Sequence, residues 1–308
     1  MTEKVFSLPI LRHPDGQASL SIFAWLLLSI LFLPLFANAS AEKCQLAQQV
    51  RPEWQRLACR LAADGISPDT IRQIFSRPEM TFDARVMPRK LTHNEYGLYY
   101  DRFLKEERIA RAKLFLDRNR GLLERVEKRF GVPKEIMVAI LLVETDLGRY
   151  LGAGPAVRIL ASMAAADSVE IIDKWLPESM KASSKVQKKM KKKAAWAYNE
   201  LKELIFYCQR NRLDIMKLKG SIFGAIGICQ FMPSNANTLG VDFDGDGRVD
   251  LFSLPDALAS MANYLKHHGW RPGLDKQGRH EVILAYNHSR PYADTILKVA
   301  EQLAGQSG

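Results

Sequence analysis

Histidine and cysteine are scarce, at six and four of 308 residues. No HExxH, CxxC or His-rich cluster occurs, so nothing points to zinc, and no triad-like grouping marks a nucleophile relay. The histidines read as surface or packing residues. Strand signals are almost absent, and only one long apolar run is present, which excludes a multi-spanning membrane protein. With 47% hydrophobic and 25% charged residues, 19 Gly and 14 Pro, the chain is neither disordered nor collagenous. Acidic residues are in deficit: 34 Asp and Glu face 44 Lys and Arg, a net charge of +10. That balance calls for an anionic partner without saying which.

The apolar run, Leu20 to Phe36, follows a leader containing Lys4 and Arg12 and precedes Ala37-Asn38-Ala39 and Ala39-Ser40-Ala41. Small residues at that spacing suit a signal peptidase, while the long leader and 17-residue run suit an uncleaved anchor; both readings place the chain outside the cytoplasm. Removing residues 1–39 leaves the balance at +10. Export argues against nucleic acid and for cell-wall polymer or phospholipid as the anionic partner. It also permits disulfides. Of the pairings open to Cys44, Cys59, Cys208 and Cys229, Cys44 with Cys59 is favoured, 15 apart across a bent helix or helix–turn–helix; Cys208 with Cys229 is the weaker alternative.

Beyond residue 40 the chain reads all-α. A helix is expected over Cys44–Ala63, another from Ser67-Pro68-Asp69, and an irregular connector over Pro78–Tyr100. Ile109, Ala112, Leu116, Leu123, Val126 and Phe130 predict one helical face over 105–130. Lys134–Val143 is apolar on nearly every side, as in a central buried helix. Further helices are expected at 167–182, 186–210, 254–268 and 289–304. Seven lysines between Lys181 and Lys193 form either a solvated helix face or a contact with anionic wall polymer or lipid headgroups.

Three segments carry chemistry. In Val143-Glu144-Thr145-Asp146-Leu147-Gly148-Arg149-Tyr150, Glu144 closes the apolar run, where desolvation would keep its carboxyl protonated for acid catalysis. The alternative is a solvent-facing Glu144 paired with Arg149. In Gly220-Ser221-Ile222-Phe223-Gly224-Ala225-Ile226-Gly227-Ile228-Cys229-Gln230-Phe231, glycines permit close ligand approach and Gln230 can bond a sugar; a structural turn with a buried Gln is the alternative. In Asp242-Phe243-Asp244-Gly245-Asp246-Gly247-Arg248-Val249-Asp250, the acidic spacing follows an EF-hand calcium loop. Its twelfth position is Ser253 rather than Glu, with Asp256 able to approach instead.

In this order the segments resemble the lytic murein transglycosylases of the membrane-bound B type, glycoside hydrolase family 103. Pro88-Arg89-Lys90-Leu91-Thr92-His93, Asn263-Tyr264-Leu265-Lys266-His267-His268-Gly269-Trp270 and Ala285-Tyr286-Asn287-His288-Ser289 extend the resemblance. It implies a lysozyme-like all-α catalytic core at 126–308, with an EF-hand-like calcium-type loop at 242–253. A helical N-terminal region at 40–125 precedes it, and 1–39 is the signal peptide or anchor. Carried over, Glu144 matches the catalytic acid/base. Ser221, Gln230, Phe231, Tyr286, Asn287 and Tyr292 match the substrate cleft. Asp242, Asp244, Asp246, Arg248 (through its carbonyl) and Asp250 match a structural Ca2+ site. Ile228-Cys229 departs from the aromatic and glycine of the family's pattern.

The resemblance implies cleavage of the MurNAc–GlcNAc bond of peptidoglycan glycan strands with a 1,6-anhydro product. It suits the absence of an evident second carboxylate, since Asp146, two residues on, would face away on a helix. A hydrolytic muramidase and a non-catalytic wall-binding scaffold are the rival readings.

Overall fold

The computed structural model describes residues 48–93 and 100–305. Among them fourteen α-helices run in chain order: α1 (Pro52–Ala63), α2 (Pro68–Phe75), α3 (Val86–Thr92), α4 (Glu106–Arg118), α5 (Arg120–Phe130), α6 (Lys134–Thr145), α7 (Ala156–Ala165), α8 (Val169–Ile172), α9 (Glu178–Lys181), α10 (Ser184–Asn211), α11 (Pro233–Leu239), α12 (Leu254–His267), α13 (Lys276–Tyr286) and α14 (Arg290–Leu303). The two strands, β1 (Gly154–Pro155) and β2 (Lys219–Gly220), pair antiparallel with Gly154 opposite Gly220.

The all-α reading holds, and α6 is the central helix the apolar run predicts: Ile136 through Leu142 are all buried. The helix α14 lies along it, and α7 packs on the long α10. Four expectations need correction. The helix over 105–130 is two, broken at Asn119, whose side-chain amide donates to Phe115 O (2.8 Å) and so competes with the helical ladder. The segment 167–182 is likewise divided; Pro177 disfavours helical backbone at Leu176, which has ψ 136°. Conversely the connector over 78–100 contains α3, which forms because Val86, Met87 and Leu91 are buried where it packs on α7 and α10. The helix α13, which the sequence reading did not contain, is capped by Asp275 accepting from Gly278 N (2.8 Å).

Described helix at the N-terminal end begins at Pro52 rather than Cys44. Cys44 and the apolar run lie outside the described residues, and with them the Cys44–Cys59 pairing. Cys208 and Cys229 are buried thiols not joined to each other, and burial pushes the Cys208 thiol up to about 12. Among the described residues no helix is long and apolar enough to cross a membrane.

One buried carboxylate joins two helices. Glu200 of α10 accepts from Ser234 N (3.0 Å) and Oγ (2.9 Å), satisfying the open N-terminus of α11. Burial raises its pKa despite those bonds, so its contribution to stability is greatest in acid and declines as pH rises through the folded-state pKa. Glu200→Gln keeps both bonds, with the amide carbonyl accepting from N–H and the NH2 donating to Oγ. The melting temperature of the variant relative to wild type is therefore expected to rise between pH 4 and pH 8. A pH-independent difference in thermal scans would refute this account.

Candidate active site

The helix α6 ends one residue after Glu144, in an unusual turn. Asp146, Leu147 and Gly148 are all left-handed, at φ 50°, 62° and 83°. Strain of this kind persists only where surroundings hold it. Here Leu147 N bonds Leu141 O (2.9 Å), and Thr145 Oγ1 donates to Ile228 O (2.9 Å) while accepting from Gly148 N (3.0 Å). Asp146 Oδ1 takes Arg111 (3.1 Å) and Arg108 (3.4 Å), both on α4. Arg149 also turns to Asp146 (3.6 Å), so the ion pair with Glu144 considered from the sequence is replaced by this one.

Glu144 thereby lines a cleft of two adjoining cavities, about 340 and 940 Å3, which share His93, Glu144, Ser221, Phe223, Gln230 and Asn287. Among the described lining residues Glu144 is the one carboxylate. Tyr292, brought by α14, donates its hydroxyl to Glu144 Oε1 (2.7 Å). Burial, then the neighbouring Glu144, pushes the Tyr292 phenol well above its ordinary value, so it remains a donor throughout the physiological range.

The segment at 220–231 forms the facing wall. Ser221 Oγ accepts from Ala225 N (3.0 Å) and Phe223 N (3.3 Å), so it shapes the turn as well as lining the cleft. Gln230 is left-handed (φ 52°) and donates Nε2 to Gly227 O (2.8 Å), which fixes its side chain at the cleft wall. Tyr286 lines the larger cavity and donates its hydroxyl to Cys229 O. Asn287, at the C-terminal end of α13, lines both cavities.

Phe231 is placed differently from the sequence expectation. It is 2% exposed and lies beneath the cleft between Tyr264 (5.3 Å) and Tyr286 (6.0 Å), because the Ile226–Phe231 bridge turns it into the core. The histidine reading also needs amendment: His93 and His288 line the larger cavity. His93 packs edge-on against Phe223 at 5.0 Å, and Lys90 lies 3.9 Å from the same ring. Their segments carried the family resemblance, but no local signal placed the two histidines at the cleft: His93 follows α3 and His288 follows α13, and both reach the cleft through packing of those helices.

The acidic loop also departs from its sequence pattern. Oxygens of Asp242, Asp244 and Asp256 lie within 4.8 Å of one another. Asp246 and Asp250 are outside that group; each folds onto the backbone, accepting from Arg248 N (2.9 Å) and Phe252 N (2.9 Å). Ser253 is the residue before α12, and Asp256 on that helix's first turn occupies the place left by the missing Glu. Burial raises the Asp256 carboxyl against bonds from Phe243 N and Asp250 N (both 2.8 Å).

A helical core packed around one buried helix, with Glu144 at its end as the one carboxylate among the described lining residues, is the arrangement of a lysozyme-like fold. The chain belongs to the transglycosylase SLT domain family, whose model matches residues 49–279. Membrane-bound lytic murein transglycosylase B of Escherichia coli (strain K12) is 33% identical over 175 residues, 57% of this chain and 42% of that protein. This chain thus matches well under half the length of that relative. In fold it is similar to the catenated lytic transglycosylase SltB1 of Pseudomonas aeruginosa, with 22% identity, 85% of this chain and 100% of that one covered, and a TM-score of 0.68. It is also similar to the Escherichia coli lytic transglycosylase Slt35 in complex with calcium, with 23% identity, 83% and 94% covered, and a TM-score of 0.64.

Proposed function

We propose that the chain is an exported peptidoglycan lytic transglycosylase that cleaves the MurNAc–GlcNAc β-1,4 bond and leaves 1,6-anhydro-MurNAc ends. The observation that carries this reading is Glu144: a carboxylate at the end of a buried helix, held by Tyr292, in a cleft where no other described lining residue is a carboxylate. Glycosidases that use an enzyme nucleophile or an activated water need two carboxyl groups. One suffices if the substrate supplies its own nucleophile. Glu144 donates a proton to the bridging oxygen as the bond to C1 breaks. Its carboxylate then takes the proton of the muramic acid C6 hydroxyl while that oxygen bonds to C1, closing the anhydro ring and restoring the acid. An attacking hydroxyl within the same sugar has a high effective concentration, so water need not be activated. Gln230 and Asn287 supply amide hydrogen bonds and Tyr286 an aromatic wall for the sugars, with Ser221 fixing the turn.

Digestion of purified peptidoglycan, with products read by mass spectrometry, tests the proposal. Anhydro-muropeptides are expected. Reducing-end products would instead establish a hydrolytic muramidase, and sacculus binding without release a wall-binding scaffold.

The acidic loop is assigned a structural Ca2+. Three carboxylate oxygens held within 4.8 Å repel one another unless a cation lies among them, and Asp256 is 1% exposed. Asp242, Asp244 and Asp256 are the carboxylate ligands this geometry favours, with Asp246, Asp250 and the Arg248 carbonyl as the further candidates of the sequence pattern. The ion would neutralise the loop between α11 and α12 and supply no catalytic chemistry. At calcium a hundredfold above Kd, about 2.7 kcal/mol of stabilisation is expected, a rise of roughly 5–10 °C in Tm over chelator-treated protein. Asp256→Asn should remove most of it; equal Tm with calcium and with chelator would discard the site.

A further inference from the structure

The segment 169–193 holds eight lysines against three carboxylates, a net +5 and half of the chain's +10. It folds as α8, a 3₁₀ turn over Asp173–Trp175, α9 and the start of α10. Two of the three carboxylates are paired within it, both with Lys181, which bonds Asp173 (3.1 Å) and Glu178 (2.6 Å). Lys189 is also engaged, donating to Leu91 O (2.8 Å). Lys185, Lys188 and Lys192 stand at i, i+3 and i+7 on the outer face of α10, exposed, with no carboxylate partner among the described residues.

The same segment carries two large apolar side chains that the core does not cover, Trp175 at 53% and Ile171 at 41% exposure, and Glu170, next to Ile171, lies within electrostatic reach of Lys191 near the start of α10. The Lys181–Asp173 bridge ties the 3₁₀ turn to α9, and Arg85 at the start of α3 lies 5.8 Å from the Trp175 ring. Ile171 shares a cavity of about 250 Å3 with Pro52, Glu53 and Arg56 of α1, and Arg56 pairs with Asp167 (2.9 Å). The start of α1 therefore lies beside Ile171. Fifteen residues, 37–51, separate Pro52 from the apolar run Leu20–Phe36, a span of at most about 55 Å.

We propose that this face docks on an anionic phospholipid bilayer, with Lys185, Lys188 and Lys192 on the lipid phosphates and Trp175 and Ile171 in the headgroup layer. The proposal rests on export and deepens the partner assignment of the enzyme. A wall polymer would satisfy the lysines but offers no apolar layer for Trp175 and Ile171, whereas a bilayer interface satisfies both at once. Lysine attraction to an anionic leaflet is screened by salt and absent on neutral lipid. Docking there would hold the folded core at the membrane surface whether the N-terminal run is cleaved or retained.

The test uses the full chain in proteoliposomes whose acyl chains are brominated, comparing wild type with Trp175→Phe so that the difference isolates Trp175 emission. That component is expected to be quenched in vesicles one-fifth phosphatidylglycerol. It should escape quenching in pure phosphatidylcholine, in high salt, and in the K185E/K188E/K192E variant. No quenching in anionic vesicles overturns the proposal, as does quenching that survives on neutral lipid in high salt. Unchanged quenching in the triple variant, with reduced sacculus binding, overturns it in favour of wall polymer. Anhydro-muropeptide release by the same proteins separates the two readings: wild type that docks but releases nothing refutes the enzyme assignment and leaves the docking intact.

Discussion

Glu144→Gln is expected to lower anhydro-muropeptide release by about 10³-fold or more, while sacculus binding and thermal stability stay close to wild type. The amide matches the carboxyl in size, and its carbonyl can still accept from Tyr292 at the position of Oε1. What it loses is the ability to give a proton to the glycosidic oxygen and take one back from the C6 hydroxyl. Both halves of the reaction depend on that exchange, so substrate affinity should be retained while turnover is lost. Tyr292→Phe provides the contrast. It leaves the acid in place but removes the bond that orients it, and a loss of about tenfold is expected, mainly in kcat. Equal activity of E144Q and wild type in a muropeptide assay would remove Glu144 from the mechanism altogether.

The largest stability effect expected from a single methyl group is at Gly152. This residue has φ 115°, and a Cβ there would lie 1.8 Å from Gly220 O. Both partners are backbone, so no side-chain rotation relieves the overlap. The β1–β2 pair, in which Gly154 faces Gly220, would have to separate. Gly152→Ala is therefore expected to cost about 3 kcal/mol or more, lowering Tm by roughly 6–12 °C. Activity should fall with it, because Ser221 follows Gly220 directly at the cleft wall. Gly121→Ala is the control. Near the start of α5 an added Cβ meets nothing within 4 Å, and a gain of about 0.4–1 kcal/mol is expected from the stiffer unfolded chain. Similar melting temperatures for the two variants would contradict this account of the sheet.

The elements legible in the sequence were those whose burial pattern is local. The helix α6 announced itself because seven successive residues from Ile136 to Leu142 are buried, which no amphipathic surface helix allows. The start of α2 was marked by Ser67-Pro68 at its first turn. The break at Asn119, the helix α3 and the division of 167–182 were not legible in the same way. Each depends on which competing backbone bond or packing face wins once the other helices are present.

The same distinction divides the site. By itself the sequence determined an all-α chain, the carboxylate closing its most buried helix, and an acidic loop of calcium-type spacing. These follow from residue type and short-range periodicity, which the chain carries wherever it is folded. Only the tertiary structure decided that Tyr292, 148 residues away, holds Glu144 and that Asp146 turns to α4. It also decided that Phe231 supports the cleft from below, and that Asp256 rather than Asp246 or Asp250 completes the acidic group. Those outcomes depend on the angles at which helices far apart in the chain cross, and these are fixed by the packing of the whole core rather than by any one segment.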